Sequence, residues 1–252
     1  MMLLDVGNSS VKWAIESHGA LEDGGRFFHD DEGFSRSASR AWDGLPAPPL
    51  LAVANVAGAG MEREIAEWAE KTWNTTPCYV RVGEKAAGVT NAYSEPGALG
   101  VDRWAAIVAA HHATGQPVCV IDCGTAITID VVDAAGIHQG GLIAPGLDMM
   151  RRSLAQETAA IGTLSGKADE THSLLGRSTI DGVNCGVMRM ASALIDRVAG
   201  EVAAGYGGKL QAVITGGDAE SLLPLLRLPL HHDPDLVLKG VAILAREMLC
   251  GM

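Results

Sequence analysis

The sequence predicts an α/β protein of two similar domains facing each other across a cleft, and three observations lead there. Its 252 residues are 48% hydrophobic but only 4% aromatic, so the core is built mainly from Ala, Val, Leu and Ile, which suits helices packed on largely buried sheets. The chain also echoes itself. Met2-Leu3-Leu4-Asp5-Val6-Gly7-Asn8-Ser9 is matched nearly half a chain later by Val120-Ile121-Asp122-Cys123-Gly124-Thr125, each an apolar run ending in Asp-x-Gly and a small polar residue. Finally, strand-like patterns come first and helical ones follow, twice over.

Each echo is followed by a second strand, Val11 to Glu16 in the first half and Ile127 to Val132 in the second, the latter closed by the turn Asp133-Ala134-Ala135-Gly136. Each half therefore opens with a hairpin. Helical periodicity then runs through Arg103 to His112, Met149 to Ile161, Asn184 to Ala204 and Lys239 to Leu249. Residues 19–50, rich in Gly, Asp, Ser and Pro, are expected to hold an irregular connection or short strands. The expected boundary lies at Gly115-Gln116-Pro117, where a helix ends in Gly and Pro precedes the next apolar strand, giving domains of 1–115 and 116–252.

The formal charge of -11 argues against a nucleic-acid partner, which needs clustered Lys and Arg, and an acidic surface disfavours anionic membranes. The first apolar stretch is interrupted at Asp5, so no signal peptide is expected, no run is long enough to span a bilayer, and the protein reads as cytoplasmic. The five cysteines form no C-x-x-C pair and no zinc spacing, and read as free thiols.

The first turn, Asp5-Val6-Gly7-Asn8-Ser9-Ser10 with Lys12 just beyond, has the chemistry of a phosphate site. Glycine permits close backbone approach, Asn8, Ser9 and Ser10 add donors, and Asp5 is suited to hold Mg2+ through water. A single such turn is equally a good hairpin, but two copies, each at the end of an apolar strand, favour the phosphate reading. In the second copy Asp122 is positioned for a cation and Thr125 for a phosphate oxygen. The third motif, Gly97-Ala98-Leu99-Gly100-Val101-Asp102-Arg103, precedes a helix. From spacing alone Asp102 is an N-cap; alternatively it presents a base beside a cation to a small anionic substrate. Val213-Ile214-Thr215-Gly216-Gly217-Asp218 is either an adenine or ribose contact or an ordinary strand-to-helix connection. Gly162 to Lys167 is one residue short of a Walker A loop, and Gly58-Ala59-Gly60 lacks the third glycine of a dinucleotide loop, so neither is assigned a nucleotide.

Together Asp5-Val6-Gly7-Asn8-Ser9 with Lys12, Gly100-Val101-Asp102-Arg103, Asp122-Cys123-Gly124-Thr125-Ala126 and Gly140 to Gly146 resemble type III pantothenate kinase, within the acetate and sugar kinase/actin superfamily. The resemblance implies two actin-like (ribonuclease H-like) domains and ATP-dependent phosphorylation of pantothenate to 4'-phosphopantothenate, the first step towards coenzyme A. It implies Asp102 as proton acceptor, with Tyr93, Gly100, Val101, Arg103 and Thr179 around pantothenate. It also implies ATP contacts from Asp5, Val6, Gly7, Asn8, Ser9, Ser10, Val11, Lys12 and Thr125, a monovalent cation, K+ or NH4+, on Asp122, and a homodimer. The chain departs from the family pattern at Ser9, where Thr is commoner, and over Ala159 to Arg177, where Ile161-Gly162 and then Ser178 stand in for a Leu-Pro pair and an Asn. The alternatives are another small-molecule kinase of the superfamily and a non-catalytic nucleotide-binding regulator.

Overall fold

Two five-stranded sheets carry the chain, and the second repeats the strand order of the first. The computed structural model describes residues 1–29, 33–158 and 174–250. In the first sheet β1 (Met2–Val6), β2 (Ser10–Ser17) and β3 (Ala20–Phe28) form an antiparallel meander. After α1 (Phe34–Ala41) comes β4 (Leu51–Asn55), parallel to β1. Helix α2 (Ala59–Trp73) then supplies the crossover to β5 (Cys78–Tyr79), which runs parallel to β4. A small ribbon of β6 (Lys85–Ala86) and β7 (Val89–Thr90) leads into α3 (Val101–Thr114). The order is β3-β2-β1-β4-β5.

The second sheet comprises β8 (Val118–Cys123), β9 (Ala126–Val132), β10 (His138–Pro145), β11 (Gln211–Thr215) and β12 (His231–His232), ordered β10-β9-β8-β11-β12. β11 is parallel to both β8 and β12, as β4 is to β1 and β5. Helices α4 (Leu147–Glu157) and α5 (Thr179–Gly205) connect β10 to β11, α6 (Ala219–Leu222) follows β11, and α7 (Leu236–Cys250) comes last. The duplicated α/β fold expected from the echo is the one found.

The central strands explain why the echo is so apolar. Every residue of β1 is buried except Asp5, and every residue of β8 except Asp122, as expected of a strand covered on both faces. The first core is unusually aromatic for such a chain: Trp13, Phe34, Trp42 and Trp68 pack with Phe27 and Trp73 in mostly edge-on contacts. The second core is aliphatic, with Ile121, Ile127, Ile129, Leu147 and Ile195 at its centre.

The expected helices appear as α3, α4, α5 and α7, and Gly115 ends α3 in the left-handed conformation, φ 57°. Residues 159–161 of the second predicted helix, and the Gly162 to Lys167 motif, lie outside the described residues. The segment 19–50 is more regular than expected: it holds the nine-residue β3 and the helix α1. The short strands expected there could not be delimited as one long β3, because Glu22, Asp23 and Arg26 are exposed and two glycines interrupt it.

The compact units also differ from a single cut after 115. One unit comprises Met1–Gly115, Val132–His138 and Asp235–Met252, and the other Gln116–Val131 and Gln139–Pro234. The physical reason is α7, whose buried residues Leu238, Val241, Ala242 and Ala245 complete the same core as α3. At their crossing a Cβ on Gly240 would overlap the backbone carbonyl of Ala105, so glycine lets the helices meet backbone to backbone.

Candidate active site

Asp5 and Asp122 occupy equivalent places, each the penultimate residue of the central strand of its sheet. The turns after them differ in length. In the first, Gly7 N donates to Ser10 O at 3.0 Å; in the second, Gly124 N donates to Ala126 O at 3.0 Å, one residue tighter. Neither glycine has a positive φ, and a Cβ at either would meet only ordinary van der Waals neighbours, at 3.5 and 3.6 Å. The fold therefore does not demand these two glycines, and the space they leave suits the close approach of a ligand.

The first turn is held by its carbonyls. Gly7 O lies 3.0 Å from His29 Nε2, and Ser9 O accepts from His29 N at 3.3 Å. Among the described residues no backbone carbonyl accepts from the N–H of Asn8 or Ser9, and such N–H groups are the donors an anion site uses. Val6 and Val11 are buried and paired across the hairpin, so only their backbones are available to a ligand. Lys12, opposite Asp5 in the ladder, pairs with Asp235 at 3.0 Å, just before α7.

The second turn is wedged among neighbouring loops. Gly146 N donates to Thr125 O at 3.0 Å, and Asp218 N to Cys123 O at 2.9 Å. Gly216, at φ 95°, lies so close to Asp122 and to the Cys123 carbonyl that any side chain there would overlap them. The Gly216-Gly217 turn thus braces Asp122. Burial, then the charges of Asp122 and Asp218, push the Cys123 thiol up to about 12; burial and Asp130 do the same to Cys119. Both remain neutral thiols, as a structural role requires.

Asp102 is not the cap of α3. Gly100 is the N-cap residue, and Asp102 sits in the first turn, where its Oδ1 accepts from the N–H of Arg103 at 2.7 Å. The partial positive charge of the helix N-terminus lies at this same turn. A Cβ on Gly100 would stand 2.5 Å from that same oxygen, so the carboxylate folds back over the glycine. Arg103 is buried, and its Nη1 donates to the hydroxyl of Tyr93 at 3.1 Å. Tyr93 is fixed in turn by its own N–H to Asn91 Oδ1 at 3.0 Å. Tyr93, Gly100, Val101, Asp102 and Arg103 are thus brought together in the first unit. Thr179, exposed, opens α5 in the second unit behind the N-cap Ser178, whose Oγ accepts from Asp181 N at 3.1 Å.

Sequence reasoning missed His29, Asp235 and His138. His29 was hidden with β3. Asp235 carried a usable signal, an acidic residue directly before an apolar helical run. His138, whose ring is stacked on Tyr93, carried none. Among the described residues no three His, Cys, Asp or Glu side chains gather to hold a metal. No helix among the described residues is long and apolar enough to cross a membrane.

The family model described as type III pantothenate kinase matches residues 1–201. A type III pantothenate kinase of Nitrosococcus oceani is 40% identical, over 98% of this chain and 94% of its own. One from Halorhodospira halophila is 36% identical over 95% of each. Among solved structures, a Campylobacter jejuni protein described as belonging to the Baf family of transcriptional activators superimposes with a TM-score of 0.60 at 20% identity, covering 99% of this chain and 100% of its own. The ethanolamine utilization protein EutJ from Carboxydothermus hydrogenoformans gives 0.54 at 14% identity, covering 96% and 89%. The two structural likenesses speak to fold alone.

Proposed function

Because this chain belongs to the type III pantothenate kinase family, we propose that Asp102 accepts the proton of the primary hydroxyl of pantothenate as that oxygen attacks the γ-phosphorus of ATP. The bond from the γ-phosphorus to the bridging oxygen breaks, ADP leaves, and 4'-phosphopantothenate forms, the first step towards coenzyme A. The observation that carries the roles is the Asp102, Arg103 and Tyr93 constellation: a carboxylate in the first helical turn, followed directly by a residue whose buried guanidinium is anchored on a phenol. Phosphoryl transfer needs positioning and charge neutralisation more than covalent chemistry, and this pair supplies a proton acceptor and a fixed positive charge.

ATP contacts are proposed for Asp5, Val6, Gly7, Asn8, Ser9, Ser10, Val11 and Lys12 through the turn amides, the hydroxyls and the lysine, and for Thr125 in the second turn. Gly100 and Val101 would border pantothenate with Tyr93 and Arg103, and Thr179 would add a hydroxyl. The kinase family implies a divalent metal as well as ATP. Asp5, the carboxylate at the end of β1 beside the turn, fits the outer partner of a Mg2+ held chiefly by phosphates and water. Bound Mg2+ would offset the phosphate charge. Asp122, braced by Gly216 among backbone carbonyls, fits a monovalent cation, K+ or NH4+.

A homodimer is proposed from the apolar surface of the second unit, where Ile143, Met149 and Met190 are exposed on β10, α4 and α5. Light scattering should give twice the 26.2 kDa chain mass. A cytoplasmic enzyme without a nucleic-acid partner agrees with the charge of -11.

The test is mass-spectrometric detection of phosphopantothenate with K+ or NH4+ against Na+, using wild type and Asp102→Asn. Cation-dependent product that falls by about 10²-fold or more in the variant is expected. Tight ATP binding without product from wild type would overturn the assignment.

A further inference from the structure

The turn between β9 and β10 is built into the first unit. Thr90 N donates to Gly136 O at 2.8 Å, and Thr90 and Ile137 form a parallel bridge. Gly136, at φ 79°, passes so close to the Gly88 carbonyl that a Cβ would overlap it. This pins the start of β10 beside the loop that carries Tyr93. His138, 1% exposed, lies against the Tyr93 ring with centroids 6.0 Å apart and planes 15° apart.

The stack has a mechanical consequence. Tyr93 is only half-buried, and two torsions set where its hydroxyl points. That hydroxyl accepts from Arg103 Nη1, and the guanidinium carbon lies 5.8 Å from the ring centroid. Fixing the ring plane against a buried imidazole fixes the hydroxyl, and the hydroxyl fixes the guanidinium of Arg103, the residue that follows Asp102. We propose that His138 is a positioning residue for pantothenate binding, holding Arg103 through the plane of Tyr93. The proposal rests on the reading that Tyr93 and Arg103 border pantothenate.

A buried imidazole that merely filled space would affect stability. One that orients Arg103 would affect pantothenate selectively, and a flat ring would replace it. The experiment is steady-state kinetics and thermal melting of wild type, His138→Ala, His138→Leu and His138→Phe. Loss of an aromatic stack predicts a KM for pantothenate raised about five- to tenfold in the Ala and Leu variants, with kcat and the KM for ATP within about twofold. The Phe variant should return to within about twofold of wild type. The Leu variant keeps the volume filled, so it reports even if Ala fails to fold. Active wild type with an unchanged pantothenate KM in Leu, or a Phe variant as impaired as Leu, overturns the role of His138. A wild type that makes no phosphopantothenate overturns the substrate reading as well.

Discussion

Lys12 and Asp235 form an ion pair at 3.0 Å, joining the strand after the first turn to the residue that precedes α7. The Asp235 carbonyl also accepts the N–H of Lys239 at 2.9 Å, so the carboxylate is carried on a fixed helix start. In the proposed ATP site this pair would hold Lys12 in place ahead of the phosphates. Asp235→Asn is expected to raise the KM for ATP about three- to tenfold and leave that for pantothenate unchanged. Asp235 is partly exposed, so the stability cost should stay below about 1 kcal/mol. Kinetics alongside denaturant unfolding checks both.

Gly100→Ala tests the carboxylate's seat. The new methyl would stand 2.5 Å from Asp102 Oδ1, so Asp102 must swing away while the helix survives. A displacement of about an ångström at a reacting group can cost roughly 10² in rate, so kcat should fall by that order with helical content retained. Normal turnover would exclude the present Asp102 rotamer from catalysis.

Gly240→Ala should act on stability. The helices α3 and α7 meet with no room for a methyl, and overpacking of this kind costs about 2–3 kcal/mol. For a chain of this size the melting temperature should drop by roughly 5–10 °C. An unchanged melting curve would contradict the crossing described.

The thiols sort by burial. Cys119 and Cys123, both pushed up to about 12, should resist a thiolate-selective reagent at neutral pH in the native protein. Exposed Cys250 should react first, ahead of the partly buried Cys78 and Cys185. Mass mapping after a short exposure would show this order, and early labelling of Cys123 would mean that the second turn opens readily.

Tyr79 gives a pH signature. Its hydroxyl donates to the Glu62 carbonyl at 2.7 Å, and burial, followed by the Glu62 charge, pushes its ionisation up to about 12. An unfolded tyrosine titrates near ~10, so the native state favours the neutral phenol. That stabilisation is fully present below about 10 and is lost as pH rises through about 12. Ultraviolet titration should show a late tyrosine ionisation that Tyr79→Phe removes.

What the sequence disclosed follows the physics of each signal. The central strands were legible because burial on both faces makes β1 and β8 continuous apolar runs, so Asp5 and Asp122 stood out against them. Asp102 was legible as a residue at a helix start, but its place within the first turn was not, since Gly100 carries the cap without any side-chain signature. β3 was obscured by glycines that serve the close crossing over Trp13 and Ala14. The Tyr93 to His138 stack was beyond reach, because it joins residues whose neighbourhood depends on the turn at Gly136 docking on Gly88.

The grouping of α7 with the first unit bears on how the chain is made. Translation delivers Ala105 early and Gly240 late, yet the two must touch for the first core to close. The unit begun first is thus finished last. Until α7 has been made, the emerging amino-terminal half would expose the α3 surface that α7 later covers, a period in which a chaperone or a premature contact competes for it.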